Sequence, residues 1–230
     1  LRVSPAFDRR CLLDENTFTE NFKNQINTRK TYLCYEVEIV DGDARVPLDE
    51  IKGFVHNKVT DPAWEPCHAE LYFLDRIHSW TLDRRLHYRL TCFISWTPCH
   101  TCAQELATFL GENSHVSLHI FASRMYRRFD YEAGLRRLQA AGAQIAIMTS
   151  KEFEHCWETF VDHQGRPFQP WDGLEVESQH LCKKLQEILQ VRLDLLGAES
   201  RIQKSTVYTN DENLKVKLRK HSHLPLQQNE

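Results

Sequence analysis

Four residues in two short stretches have the types and spacing of a hydrolytic metal centre: His68 and Glu70 in "CHAELYF" (67–73), and Cys99 and Cys102 in "TPCHTC" (97–102). Zinc takes four tetrahedral ligands from imidazole and thiolate, and a catalytic zinc keeps one position for water, so three protein ligands are wanted. His68, Cys99 and Cys102 supply that set. A Cys-x-x-Cys at the start of a helix brings two sulfurs onto one ion, and the positive end of the helix favours both as thiolates. Glu70 is then a carboxylate beside the water, placed to take and return a proton. A purely structural zinc would want a fourth ligand, and Cys67, next to His68, is the candidate for it; in a catalytic site Cys67 is a spectator.

These residues can meet only if the elements around them place two helix starts side by side. "AELYFLDRIH" (69–78) has Leu71, Leu74 and Ile77 at helical spacing, widened by Phe73, so His68 and Glu70 open a helix. "YRLTCFISW" (88–96) reads as a buried strand that stops at Pro98, and "PCHTCAQELATFLGEN" (98–113) as a helix with both cysteines in its first turn and Gly111 near its end. The same alternation continues with strand 116–123, helix 130–142, strand 143–149, helix 150–161, a Gly- and Pro-containing loop over 162–173 and a last helix from about 174 to 189. Before the site, 14–24 predicts a short helix with Phe18 and Phe22 one turn apart. The stretch 30–40 predicts a strand ending at the turn "DGD", with its antiparallel partner within 44–57 broken near Pro47 and Gly53. Strands alternating with helices argue for an α/β sheet covered on both faces.

Length and composition bound the rest. At 230 residues, with 41% hydrophobic and 10% aromatic residues, the chain fits one large domain or a domain plus a tail. The expected layout is a lead-in over 1–14, one domain over 15–190, and a poorly ordered C-terminal tail over 191–230 with a basic knot at Lys215, Lys217, Arg219 and Lys220. The chain opens on Leu1 rather than Met, as a piece of a longer polypeptide would. No apolar run reaches membrane-spanning or signal-peptide length, which points to the cytoplasm, the nucleus or both, with thiols reduced. Cys34, Cys92, Cys156 and Cys182 lie in apolar or strand-like runs and read as small buried hydrophobes. A net charge of −3 carries no global polyanion signature, so any nucleic-acid contact must be local.

The combination H-A-E, then 27 residues from Leu71 through Thr97, then P-C-x-x-C matches the zinc nucleobase deaminase motif H-x-E…P-C-x-x-C. In that chemistry the attack falls on C4 of cytosine, and Glu70 carries the proton to N3 and then to the departing ammonia. Beyond the motif, the blocks "TYLCYEVE", "GFVHN", "HAELYFLD", "FISWTPCHTCAQELATFL", "HVSLHIFASRMY", "AGAQIAIMT" and "EFEHCWETFVDHQGRPFQPWDGL" resemble the AID/APOBEC polynucleotide cytidine deaminases over about residues 15 to 190, the last three blocks most like the antiviral APOBEC3 type.

That resemblance implies an α/β, cytidine deaminase-like fold: a five-stranded mixed sheet flanked by about six helices. It implies a Zn2+ cofactor and single-stranded DNA as substrate, and restriction of viruses or retroelements. RNA and a viral ribonucleoprotein or capsid are further partners it admits. Carried over residue by residue, Asn57 would contact the sugar-phosphate near the target, Trp96 and Tyr126 would wall the cytosine pocket, Thr31 would border it, and Ser95 would hold the base through its backbone carbonyl. A flipped base needs aromatic walls and few polar contacts; Trp96 taken without its neighbours reads as a core aromatic. The family commonly has Ser where this chain has Thr97, a His where Arg29 stands, and an acidic residue where Arg127 and Arg128 stand. Those arginines put a preference for thymine 5′ to the target in question. Arg29, Lys30, Arg124, Arg127 and Arg128 would rim the pocket mouth, whereas Arg84, Arg85, Arg136 and Arg137 read as solvated faces. Two other readings carry the same motif: a catalytically weak nucleic-acid-binding restriction domain, and a deaminase of free cytidine, deoxycytidine or nucleotides.

Overall fold

The computed structural model describes residues 12–57 and 68–190. The expected tail, the first eleven residues and Cys67 lie outside them. Helix α1 (Glu15–Phe22) starts on Asp14, whose carboxylate accepts from the Thr17 amide at 2.9 Å, and stacks Phe18 on Phe22 at 4.9 Å between ring centroids. Strand β1 (Tyr32–Asp41) turns at Gly42, whose φ of +57° suits the first position of a two-residue hairpin loop, into β2 (Ala44–Pro47). Pro47 has no N–H to extend the ladder. A one-turn 3-10 helix (Asp49–Ile51) follows and buries Ile51, and the chain rejoins β1 further back as β3 (Gly53–His56). The break expected near Pro47 and Gly53 therefore makes two short strands on one edge of β1.

Helix α2 (Ala69–Ser79) is followed by β4 (His87–Ile94), α3 (His100–Glu112), β5 (Val116–Ala122), α4 (Tyr131–Ala140), β6 (Gln144–Ile147), α5 (Ser150–Phe160) and a sixth helix, α6, over 174–190. The sheet order is β2-β1-β4-β5-β6, with β3 also on β1; β1 is antiparallel to β2, β3 and β4, while β4, β5 and β6 run parallel. This is the expected mixed sheet of five positions with six helices, the edge position beside β1 being filled in two pieces by β2 and β3.

Alternation along the strands divides the interior into two cores. Leu33, Tyr35 and Val37 of β1, Leu90, Cys92 and Ile94 of β4, and Leu118, Ile120 and Ala122 of β5 face one side, where α2, α3, α4 and α6 bury Phe73, Leu106, Leu135 and Leu185 against them. Cys34 of β1 and Phe93 of β4 face the other side, covered by Phe18 and Phe22 of α1 and Phe153, Trp157 and Phe160 of α5. Coverage of this second face is only partial: one step along, Glu36, Arg89 and His119 are half-buried and Ser117 is exposed. Cys34, Cys92 and Cys156 are buried as expected and burial pushes all three thiols up, while Cys182 is half-buried.

The segments that leave the two central strands, 95–99 after β4 and 123–130 after β5, emerge at the carboxyl ends of parallel strands. That is where open α/β sheets place their ligand crevices.

Candidate metal centre and substrate cavity

Two helix starts converge. His68 is the N-cap residue of α2 in extended conformation (φ −71°, ψ 151°), and its side chain does not cap its own helix. Cys99 is the N-cap of α3 rather than a member of its first turn, and its sulfur accepts from the Cys102 amide at 3.5 Å. His68 Nδ1 lies 3.2 Å from Cys102 Sγ and 3.4 Å from Cys99 Sγ, and all three donor atoms fall within 4.8 Å of one another. Tetrahedral zinc with bonds of ~2.0–2.3 Å spaces its nitrogen and sulfur ligands about 3.6 Å apart, so the trio needs only slight expansion to take the ion. The protonation chemistry agrees. The hydrogen bond from Cys102, followed by that from His68, pulls the Cys99 thiol down to about 4 against its burial, while the same bond and burial push Cys102 up. One thiol is thus drawn down and the other pushed up, and a dication between them is what lets both be thiolates. The expected donor set is thus brought together, and it fits Zn2+.

Glu70, at the second position of α2, is only 4% exposed, and burial first of all raises its carboxyl to about 7. It is not in the donor cluster. It lines, with His68 and Cys99, a cavity of about 880 Å3.

The walls of this cavity come from six segments, within 24–31, at 57, and within 68–70, 96–99, 124–128 and 177–181. Thr31 and Asn57 lie side by side where β1 begins and β3 ends: the Asn57 amide donates to the Thr31 carbonyl at 3.0 Å, and Asn57 Oδ1 accepts from the Thr31 amide at 2.8 Å. With Oδ1 so engaged, the Asn57 NH2 is the group left to meet a ligand. Trp96, Thr97, Met125 and Tyr126 form a second wall, tied by Thr97 Oγ1 accepting from the Tyr126 amide at 2.9 Å. Threonine in place of the family's serine therefore keeps the hydroxyl that this tie uses. Arg29, Arg127 and Arg128 are exposed and line the mouth.

Of the expected contacts, Ser95 stands apart. It is fully buried, its hydroxyl accepts from the Tyr32 amide at 3.0 Å, and it is not among the lining residues. Lys30 is exposed but not part of the wall. Arg124 lines the cavity, but not as an exposed rim cation: it is only 3% exposed, and its guanidinium points inward to backbone carbonyls. Arg85 pairs with Asp83 and Arg136 with Glu132, as solvated faces do. Residues 24–28 after α1, with Glu177 and Leu181 of α6, complete the cavity. No motif pointed to these two: only the tertiary fold carries α6 to a site whose donors lie about eighty residues earlier.

Comparison with known proteins agrees with this geometry. The chain matches the family model "APOBEC3, cytosine deaminase domain" over residues 11–189. It is 51% identical over 190 residues to the DNA dC->dU-editing enzyme APOBEC-3G of Erythrocebus patas, covering 79% of this chain and 49% of that protein. With the enzyme of the same name from Papio anubis it is 51% identical over 187 residues, again 79% and 49%. With the DNA dC->dU-editing enzyme APOBEC-3H of Felis catus it is 40% identical over 191 residues, covering 80% of this chain and 93% of that protein. The chain spans about half the length of the APOBEC-3G relatives.

Proposed function

The chain belongs to the APOBEC3 cytosine deaminase domain family, and from that premise we propose that it deaminates cytosine to uracil in single-stranded DNA, with residues 15–190 as the zinc-dependent catalytic domain. The observation that carries this reading is the placing of a buried carboxylate, Glu70, beside a His-Cys-Cys donor set at a cavity whose walls bear Trp96 and Tyr126 and whose mouth bears three exposed arginines. His68, Cys99 and Cys102 hold Zn2+, which acts as a Lewis acid and brings the pKa of water toward ~7.

Glu70 does the proton work. Its carboxylate takes a proton from the attacking water as oxygen bonds to C4, and passes that proton to ring nitrogen N3. It then takes the hydroxyl proton of the tetrahedral adduct and delivers it to the amino group. The C4–N4 bond breaks, ammonia leaves and C4 becomes a carbonyl, so cytosine and water give uracil and ammonia. A carboxyl near 7 is suited to accepting and donating at neutral pH. Trp96 and Tyr126 hold the unstacked base, and Thr31 borders it. The Asn57 NH2 meets sugar-phosphate oxygens, and Arg29 and Arg127 meet flanking phosphates.

The relatives' printed activity, editing of DNA dC to dU, supports DNA as the polymer. The biological setting we propose is restriction of viral or retroelement cDNA in the cytoplasm or nucleus, with RNA and viral ribonucleoprotein or capsid as further partners. Among the described residues no helix is long and apolar enough to cross a membrane.

The test is incubation with a cytosine-containing oligodeoxynucleotide and, separately, with free deoxycytidine, with Glu70→Ala as control. Uracil in the oligonucleotide that is absent with the variant is the expected result. Binding without uracil identifies a binding domain instead, and conversion of the nucleoside alone identifies a small-substrate deaminase.

A further inference from the structure

We infer that Arg124 is a positioning residue, pinning the segment 21–28 beside the Trp96 indole and so fixing the width of the cavity that takes the target nucleotide; this rests on the substrate reading above. The side chain sits between two walls. On one side its Nη1 donates to the carbonyls of Lys23 at 2.8 Å and Ile26 at 2.9 Å, and its Nη2 to the Asn21 carbonyl at 2.5 Å and to Thr28 Oγ1 at 3.3 Å. On the other side its Cζ lies 4.3 Å from the centre of the Trp96 ring.

The grip has a clear origin. Helix α1 ends at Phe22, leaving its last carbonyls unpaired and the negative end of its dipole exposed. Ser123 Oγ takes the Phe22 carbonyl, and Arg124 takes the carbonyl of Asn21 before it and that of Lys23 after it. A guanidinium suits this because its rigid fork reaches several acceptors at once, which an ammonium does not. Burial lowers the Arg124 pKa to about 10, so the cation persists at neutral pH. Burying a cation is costly without compensation, and carbonyls with an aromatic face supply it here.

The surroundings leave little slack. Asn24 Nδ2 donates to the Leu174 carbonyl and to Ser178 Oγ, Asn24 Oδ1 accepts from Trp171 Nε1, and Gln25 Nε2 donates to the Asp172 carbonyl. On the Trp96 side, the Thr97 amide donates to the Arg124 carbonyl at 2.8 Å. The loop after α1 and the Trp96–Tyr126 wall thus meet at one side chain.

The experiment uses the zinc-loaded chain with Arg124→Lys and the milder Thr28→Val, which deletes one of the four acceptors. Hydrogen exchange of amides 21–28, tryptophan emission, zinc content, melting temperature, and KM and kcat on the oligonucleotide are read together. For Arg124→Lys we expect faster exchange over 21–28, altered tryptophan emission, unchanged zinc content, and a KM raised roughly tenfold with kcat within about twofold, the size of one lost charge-assisted hydrogen bond. Thr28→Val should move the same readouts in the same direction by less. A lowered melting temperature in both variants with loop exchange, emission and KM unchanged would overturn the inference and leave Arg124 as a structural cation only. If the unsubstituted chain makes no uracil, the proposed activity fails by itself; the positioning role then stands or falls on the exchange and emission changes.

Discussion

A Cβ built on Gly134 would lie 2.9 Å from the Cα of His100 and 3.3 Å from the Cβ of Ala103, so α4 packs with no spare room on the turn of α3 that carries Cys99 and Cys102. Alanine at 134 gains about 1 kcal/mol of helix propensity. Overpacking against backbone costs about 1–3 kcal/mol, and because the obstacle is a Cα that cannot swing away, we expect the clash to win. Gly134→Ala should lower the melting temperature and speed release of zinc to a chelator, both measurable on the purified chain. Unchanged zinc release would show that α3 shifts as a rigid unit.

The paired sulfurs predict how the site behaves once zinc is stripped. With its thiol near 4, Cys99 should be alkylated rapidly in mildly acidic buffer while Cys102 stays unmodified, and the buried Cys34, Cys92 and Cys156 should not react. Zinc should protect Cys99. Peptide mass mapping of alkylation with and without zinc checks both statements, and equal labelling of Cys99 and Cys102 would contradict that asymmetry.

Arginine at the cavity mouth predicts a salt signature. Measured with the Glu70→Ala variant, oligonucleotide affinity should fall as salt rises. Arg127→Ala should reduce the log–log slope by about 0.7, the value for one phosphate contact on a single strand. A variant that loses affinity with the slope unchanged would assign Arg127 to base rather than phosphate. Comparing TC, CC and GC oligonucleotides with the unsubstituted chain would then show which neighbour it favours.

His155 Nε2 lies 3.0 Å from Glu36 Oε2, and the hydrogen bond it donates to Glu36 raises the His155 pKa against burial. Glu152 and Glu158 on the same helix act in the same direction, and Phe93 contacts the ring. A raised folded pKa means that the pair's contribution is fully present below the unfolded histidine value and fades as pH rises through the folded one. Both side chains are partly exposed, 44% and 26%, so solvent screening holds the effect below about 1 kcal/mol. The stability gap between wild type and His155→Gln in denaturant titrations should therefore be wider at mildly acidic than at alkaline pH. A gap independent of pH would leave only the ring contact.

How far the sequence could be read follows from how local each signal is. Periodicity located α2, and proline with Cys-x-x-Cys placed the start of α3 to within two residues, so His68, Glu70, Cys99 and Cys102 could be placed from residue types alone. Pro47 and Gly53 marked the broken edge because each changes what one backbone position can do. The burial of Arg124 was not legible because its charge argues for solvent unless its partners are known, and those partners are backbone carbonyls about a hundred residues earlier. Glu177 and Leu181 escaped for the same reason. The partial cover of the second sheet face was equally hidden, since half-buried Arg89 and His119 sit in strands whose other face follows the regular pattern.

The metal donors sit on the capping residues and first turn of α2 and α3, helices rooted in the main core, whereas Asn57, Thr31, Trp96, Tyr126 and Arg127 hang on segments just outside the ends of strands. Chemistry and recognition are thereby carried on separable parts of the chain. Segments 24–31 and 124–130 should therefore be exchangeable for those of a relative without rebuilding the metal-donor centre, provided the residue at 124 travels with the loop it grips.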